Sequence, residues 1–576
     1  MKSRRTLALL FLLLPSLASA QEAPERLLSE KTQVYLRWDG LEAHRAAFEK
    51  TALAKILQGD LGLFFSESVK QAKDKFGALL SVEQMLGGVP PETVQKIQTD
   101  GAEAAKLLDI VGKHGLILGI EVRGLDPPAA QGTLILPQAG KPDGPFLALI
   151  RTISHLAKID LKEQKIGGRG VYVVPAGPVF VAAWIEGADA VLTIGTDKPE
   201  ATIQRMAGKG SGLLGQPLFQ KVQGFKEFET GTRGFLELAS LVQLGRSRGK
   251  EVAALIDDLG LGGLQSLTFY SGFDGPAERS LIELHMPGPR KGLLKLATNK
   301  VFKLSDLPAM PPDVTNFSAT NLDWTALFDV AKTGVEGVMK IVAPDEAKQV
   351  PAFIDQANQF LGINIRDDLL GSLDSLMMQY SSPSEGFLSL GEVTLIKIKD
   401  VKKLQAALDN VAKKIGSFPG VPVSIKKKSY RGVELRELEV RTPGMFFAPT
   451  YGIHNDWLVF SRYPQPVHGY ILRAKGSLPV WTPGNRLKEN LDKFPGEYVA
   501  VSVSDPRPAV RFLFSVLPTI VAGINSVSQY TNISLDVSLL PNAQEVVQHL
   551  FPNVSIATDD GATLRFETRA SLALPF

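Results

Sequence analysis

The sequence has no cysteine. Disulfides, thiolate nucleophiles, cysteine-ligated zinc and iron–sulfur clusters are excluded, and stability must come from packing. Histidine is scarce, with 7 in 576 residues. No two stand four apart, as a zinc pair on a helix requires, and H-E-x-x-H is absent. Neither G-x-S-x-G nor a phosphate loop ending in Gly-Lys-Ser/Thr occurs. "GKGSG" (208–212) comes close to both, but it follows a helix and reads as a helix exit. The glycines at 260, 262 and 263 lack the strand–loop–helix setting of a dinucleotide site. No D-x-D-x-D-G calcium loop is present. The acidic pairs Asp257-Asp258, Asp367-Asp368 and Asp559-Asp560 are sequence neighbours, which do not face each other on a helix. No catalytic, cofactor-binding or metal-ligating residue is assigned, and no cofactor is expected. The five tryptophans are expected to pack in cores.

Long apolar runs are also missing beyond the first twenty residues. "VRFLFSVLPTIVAGI" (510–524) comes nearest, but it is short for a span and carries Arg511 and Pro518. It reads as a buried helix. The N-terminus is different. "MKSRR" is a positive n-region, "TLALLFLLLPSL" an apolar core and "ASA" a small-residue cleavage site. Residues 1–20 are therefore expected to be a signal peptide, with Gln21 first in the mature chain. The general secretory route is favoured over the twin-arginine route. Lys2, Arg4 and Arg5 leave with the leader and no acid does, so the formal charge of +3 falls to zero. A neutral chain gives no reason to expect nucleic acid as a partner. No transmembrane anchor is expected after cleavage.

What the sequence does contain is repetition. Residues 169–207 and 431–474 both read as three strands in a meander followed by a helix. Arg169-Gly170-Val171 recurs as Arg431-Gly432-Val433, and Phe180, Asp189, Pro199 and Ala207 meet Phe447, Asp456, Pro466 and Ala474. In this alignment Gly187 stands opposite His454. Both halves also close on strand, Asp-Gly, strand, at 266–286 and 554–574, a strong hairpin signal. The expected fold is α+β: two related halves, each a largely antiparallel sheet with helices packed mainly on one face. The first half is placed at 21–303, a Pro-rich linker at 304–314 and the second half at 315–576.

A smaller phrase recurs too: a strand, an aspartate, then a helix. Asp39, Asp323, Asp400 and Asp505 all stand where an N-cap stands, accepting free backbone N–H groups at the positive end of a helix dipole. Asp197, in "TIGTDKPEATIQRMA", fits the same pattern. It is read as a cap bonded to the N–H of Glu200 or Ala201, and not as a catalytic acid.

"LGINIRDDLLGSLDSLMMQY" (361–380) passes from a helix through acidic residues and "LLG" into a strand. The strand and helix of 189–207 run on into "LLGQPLFQKVQGF". On these phrases the chain resembles a family of uncharacterised exported bacterial proteins built from divergent repeats of a domain of unknown function. The resemblance spans most of the mature chain and implies an envelope or secreted location. It brings no catalytic residues. The expected function is that of a periplasmic or secreted, non-catalytic binding or structural protein with an envelope protein or ligand as partner. Two alternatives stand beside it. A carboxylate-based hydrolase of an envelope polymer needs two carboxylates facing each other in a cleft. An apolar-ligand carrier needs an apolar cavity of several hundred Å³.

Overall fold

The computed structural model of the protein describes residues 23–68, 91–157, 161–207, 212–297, 300–386, 390–416, 423–440, 447–526 and 536–572. The leader, residues 208–211 of the "GKGSG" stretch and residues 441–446 of the second repeat lie outside the described residues.

β1 (Val34–Trp38) leads through α1 (Ala52–Leu57) and α2 (Pro91–His114) to β2 (Leu116–Leu125) and β3 (Pro128–Leu136). α3 (Pro145–Ala157) precedes a meander of β4 (Glu163–Ile166), β5 (Arg169–Ala176), β6 (Val179–Glu186) and β7 (Asp189–Gly195). α4 (Pro199–Ala207) and α5 (Pro217–Gln223) return the chain to β8 (Glu229–Glu237). α6 (Leu238–Arg246) and α7 (Lys250–Asp258) then lead to β9 (Ser266–Asp274) and β10 (Ala277–His285). The chain next repeats the plan. β11 (Asn316–Asn321), α8 (Trp324–Val342), α9 (Val350–Leu361), β12 (Leu373–Ser381) and β13 (Glu392–Ile398) come first. α10 (Val401–Gly416) precedes β14 (Val423–Tyr430), β15 (Val433–Val440), β16 (Thr450–His454) and β17 (Trp457–Ser461). α11 (Pro464–Ala474), α12 (Asn485–Leu491) and β18 (Ala500–Ser504) follow. α13 (Pro506–Ser526), α14 (Ala543–Val547), β19 (Asn553–Asp559) and β20 (Thr563–Ala570) end it.

Among the described residues, 20 strands join one sheet. From one edge the order is β4-β5-β6-β7-β3-β2-β1-β8-β9-β10, with every pair antiparallel. β10 pairs with β20. From there the order runs β20-β19-β18-β11-β12-β13-β17-β16-β15-β14, again antiparallel. Each strand of the first half thus has a counterpart at the mirrored place in the second. In the β6–β7 hairpin, Gly187 takes positive φ; in the β16–β17 hairpin the same turn place belongs to Asn455. The alignment that set Gly187 opposite His454 is therefore out by one residue. In a strand that shift would send every side chain to the other face.

Strand alternation sorts the apolar residues. Tyr35, Ile117, Ile135, Val191 and Phe235 lie in one buried cluster under Ile203 of α4 and Phe219 and Val222 of α5. The neighbours of opposite parity, Leu116, Leu134, Ala190 and Leu192, lie with Leu107 of α2 and Phe146 of α3. In the second half Phe317, Met378, Leu395, Val459 and Val501 pack beneath Tyr470 and Ile471 of α11 and Leu487 of α12. Trp184 and Trp457 sit in these cores. The 304–314 stretch is not loose: Met310 is buried in the second core, and Leu304, Leu307 and Val314 pack against it.

Candidate functional site

β7 ends at Gly195 and α4 begins at Pro199, so Asp197 sits at the corner. It does not cap the helix. The N–H groups of Ala201 and Thr202 donate to the carbonyl of Lys198 at 3.1 and 3.3 Å, which gives Lys198 the N-cap place. The Asp197 carboxylate turns instead to two guanidinium groups, accepting from Arg205 Nη2 at 2.6 Å and from Arg123 of β2. A charged, hydrogen-bonded pair outbids a neutral N–H, and Pro199 has no N–H to offer. Asp39 departs from the pattern in the same way, engaging Arg37 and, at 2.9 Å, Arg233 Nη1. Asp323, Asp400 and Asp505 do cap, accepting from the N–H of Ala326, Lys403 and Arg507 at 2.9–3.0 Å.

The two arginines that hold Asp197 also flank Glu121. Arg123 Nε and Arg205 Nη1 each stand 3.6 Å from its carboxylate. Glu121 lies on the wall of a cavity of ≈ 430 Å³. Inward-facing positions of β2 and β3 supply Glu121, Arg123, Gln131 and Thr133, and α4 supplies Thr202 and Arg205. Residues 26–32 close the other side. Sequence reasoning missed Glu121, although a signal was present. Ile117, Gly119 and Glu121 share one parity, as do Gln131, Thr133 and Ile135. Polar residues at core-facing places of two paired strands mark a break in the core.

A second cavity, ≈ 510 Å³, is lined by Asp323, Asp374, Lys295, Lys300 and Lys399. Both carboxylates are already occupied there. Burial pushes the Asp323 carboxyl up, but the N–H groups of Ala326 and Thr325 and the Thr325 hydroxyl outweigh it and hold the group below the usual range. Burial likewise opposes ionisation of Asp374, and the Ser375 N–H with Lys300 outweighs it. Neither is a proton donor at neutral pH. Among the described residues no three His, Asp or Glu side chains come together as a metal site. His468 stacks on Tyr430 with ring centroids 3.8 Å apart, and His44 lies between Asp39 and Glu229.

The 510–524 stretch is helical, as its pattern predicts, but it is not buried. Val510 and Phe514 of α13 pack with Ile56 of α1 and Val546 of α14. Leu513, Ile520 and Ile524, on the flank of that face, are 36–49% exposed. Of the apolar window in this helix, 6% is buried. A helix that is apolar all round needs apolar partners all round; here Leu513, Ile520 and Ile524 are left largely to solvent. α8 and α9 show the same trait. Val335, Val338, Val342 and Phe353 are exposed, and an apolar groove of ≈ 430 Å³ runs between Phe328, Val335, Val350 and Phe353.

No family profile matches the sequence, and no curated protein matches it. Among solved structures, the chain is similar to TP0453 in its crystal form III, at 11% identity and a TM-score of 0.23, over 46% of this chain and 81% of that one. Crystal form I of TP0453 gives 11% identity and a TM-score of 0.22, over 48% and 83%. Scores at this level carry no argument about activity.

Proposed function

We propose that this is an exported, non-catalytic protein of the bacterial envelope that binds a lipid surface through α13. The observation that carries the reading is the second apolar stripe of α13, Leu513, Ile520 and Ile524, whose side chains are exposed. The helix has 21 residues, about 31 Å at 1.5 Å per residue. No acid lies between Pro506 and Ser526, and Arg511 stands near one end, where anionic headgroups suit it. β18 and β19, which bracket the helix, pair with each other. The helix therefore lies along a bilayer and does not cross it, since crossing would part those strands. The leader at 1–20 would deliver the chain to the envelope, and the mirrored strand order supports an origin by duplication of one ten-strand unit. A second reading is favoured by the groove between α8 and α9: an apolar ligand seated on Phe328 and Phe353.

The test is flotation of the mature protein with vesicles of phosphatidylethanolamine and phosphatidylglycerol. The wild-type chain is expected to float with the vesicles. The triple change Leu513→Ser, Ile520→Ser, Ile524→Ser should stay in the dense fraction with its melting temperature little changed, because those side chains are already exposed. Wild-type protein that stays with the dense fraction, or a variant that floats equally well, overturns the reading.

A further inference from the structure

The cavity beside Asp197 carries an inference independent of the lipid surface. Its walls hold polar groups whose capacity is unfilled. Glu121 is 5% exposed, and among the described residues no hydrogen bond reaches its carboxylate; its two arginine neighbours stop at 3.6 Å. Gln131 is equally buried, and its side-chain oxygen, set against Gly195, has no partner. The Thr133 hydroxyl, also buried, accepts no bond among the described residues. A buried acceptor without a donor costs roughly 1–3 kcal/mol, and a fully ionised carboxylate has about four acceptor sites. These groups call for a donor.

The opposite need is present a few ångströms away. Each guanidinium has five N–H donors. Arg123 spends Nη2 on Asp197, and Arg205 spends Nη2 on Asp197 and, at 3.4 Å, on Thr202. Nε of Arg205 and Nη1 of Arg123 have no acceptor among the described residues. The cavity thus presents spare acceptors and spare donors together. On the inner wall Arg123 and Arg205 stand against Glu121 and, just behind them, Asp197. At the rim Lys31 stands against Glu30, and Arg26 adds one positive charge, which interacts with Glu186 and Asp189. The inner wall itself is balanced and complements neither a net anion nor a net cation. Charged hydrogen-bonding groups of both signs find a complement there, and they bind about twice as strongly as neutral ones. No aromatic ring lines the cavity to stack a sugar.

We propose that this cavity binds a small zwitterion of amino-acid type, with its ammonium on Glu121 and the Thr133 hydroxyl and its carboxylate on Arg123 and Arg205. Asp197 is then a positioning residue that holds the two arginines apart and aimed. A volume of ≈ 430 Å³ is within the range of small-molecule sites.

The test is titration calorimetry of the mature protein with the free L-amino acids, each alongside its N-acetyl and its amide form. At least one free amino acid should bind at micromolar to millimolar concentration. Blocking either end should weaken it about tenfold or more. Glu121→Gln should weaken the free form by a similar factor while leaving the N-acetyl form unchanged. If that variant does not fold, Thr133→Val carries the test with a smaller loss. Absence of binding by every free amino acid overturns the proposal. So does equal binding of the blocked forms, or undiminished binding by the folded variant.

Discussion

Two guanidinium groups decide the state of Asp197, and that has a consequence distinct from helix capping. A cap needs a side-chain oxygen, so asparagine would serve almost as well as aspartate. A counter-ion needs the charge. Asp197→Asn is therefore expected to lose nearly as much stability as Asp197→Ala. The loss should be modest, about 0.5–1 kcal/mol, because the Arg123 and Arg205 side chains are 35% and 42% exposed and solvent screens the pairs. Urea melts at low and high salt check this: both variants should approach wild type as salt rises. Asparagine matching aspartate at low salt would restore the cap. The aspartates that do cap were legible in sequence because capping is local, reaching three residues ahead. The ionic partners were not. Arg123 precedes Asp197 by 74 positions, and Arg233 follows Asp39 by 194. No periodicity in the chain records which strand will deliver a guanidinium to a given corner. Glu121 was hidden for a related reason. Its parity was readable, but not the fact that Gln131 and Thr133 would be set beside it.

A helix is held first at its ends, and α8 shows this most directly. Asp323 accepts the Ala326 N–H at 2.9 Å, and its carboxyl is held below the usual range despite burial. A depressed carboxyl adds stability above its unfolded pKa of about 3.9 and loses it as pH falls through the lower folded value. Asp323→Ala is thus expected to cost about 1 kcal/mol near neutrality. The gap to wild type should narrow below about pH 4. Urea midpoints of both chains across that range test it; a gap that widens in acid would put the stabilisation elsewhere. At one edge of the sheet a different device appears. β14 carries Lys426, Lys427 and Lys428, paired with Glu439, Glu434 and Glu437 of β15. Lysines on an outer strand discourage a further strand from adding. The type of α13 was also legible, from its length and apolar run. Its exposure was not, because an apolar helix reads the same whether protein or lipid covers it.

The two halves are closed by each other. β10 and β20 pair over eight positions, from Glu278–Ala570 to His285–Thr563. Ion pairs stitch the same seam. Arg279 reaches Glu567 at 2.5 Å, Arg565 reaches Glu227, and Arg569 reaches Asp274. Helices cross it as well. Ile56 of α1 shares a cluster with Val546 of α14 and with Leu550, and Gly337 of α8 lies so close to Leu255 of α7 that a Cβ would meet that side chain at 2.3 Å. Apolar phrases and Asp-Gly hairpins gave the α+β class and the strand order within each meander, since both are local. The seam joins residues about 290 apart and left no local trace. Its energetic role has a direct test. If the chain is divided between Gly288 and Leu304, each piece keeps its own core but bares a long, unpaired edge strand, β10 in one and β20 in the other. An edge of that length seeks a partner. Co-produced halves should therefore purify together as a one-to-one complex. Either half alone should self-associate in sedimentation, and the intact chain should melt in one cooperative transition. Two well-folded monomeric halves that ignore each other, with two separate transitions in the whole chain, would show that the β10–β20 seam is a contact of convenience and that each ten-strand unit is complete without the other.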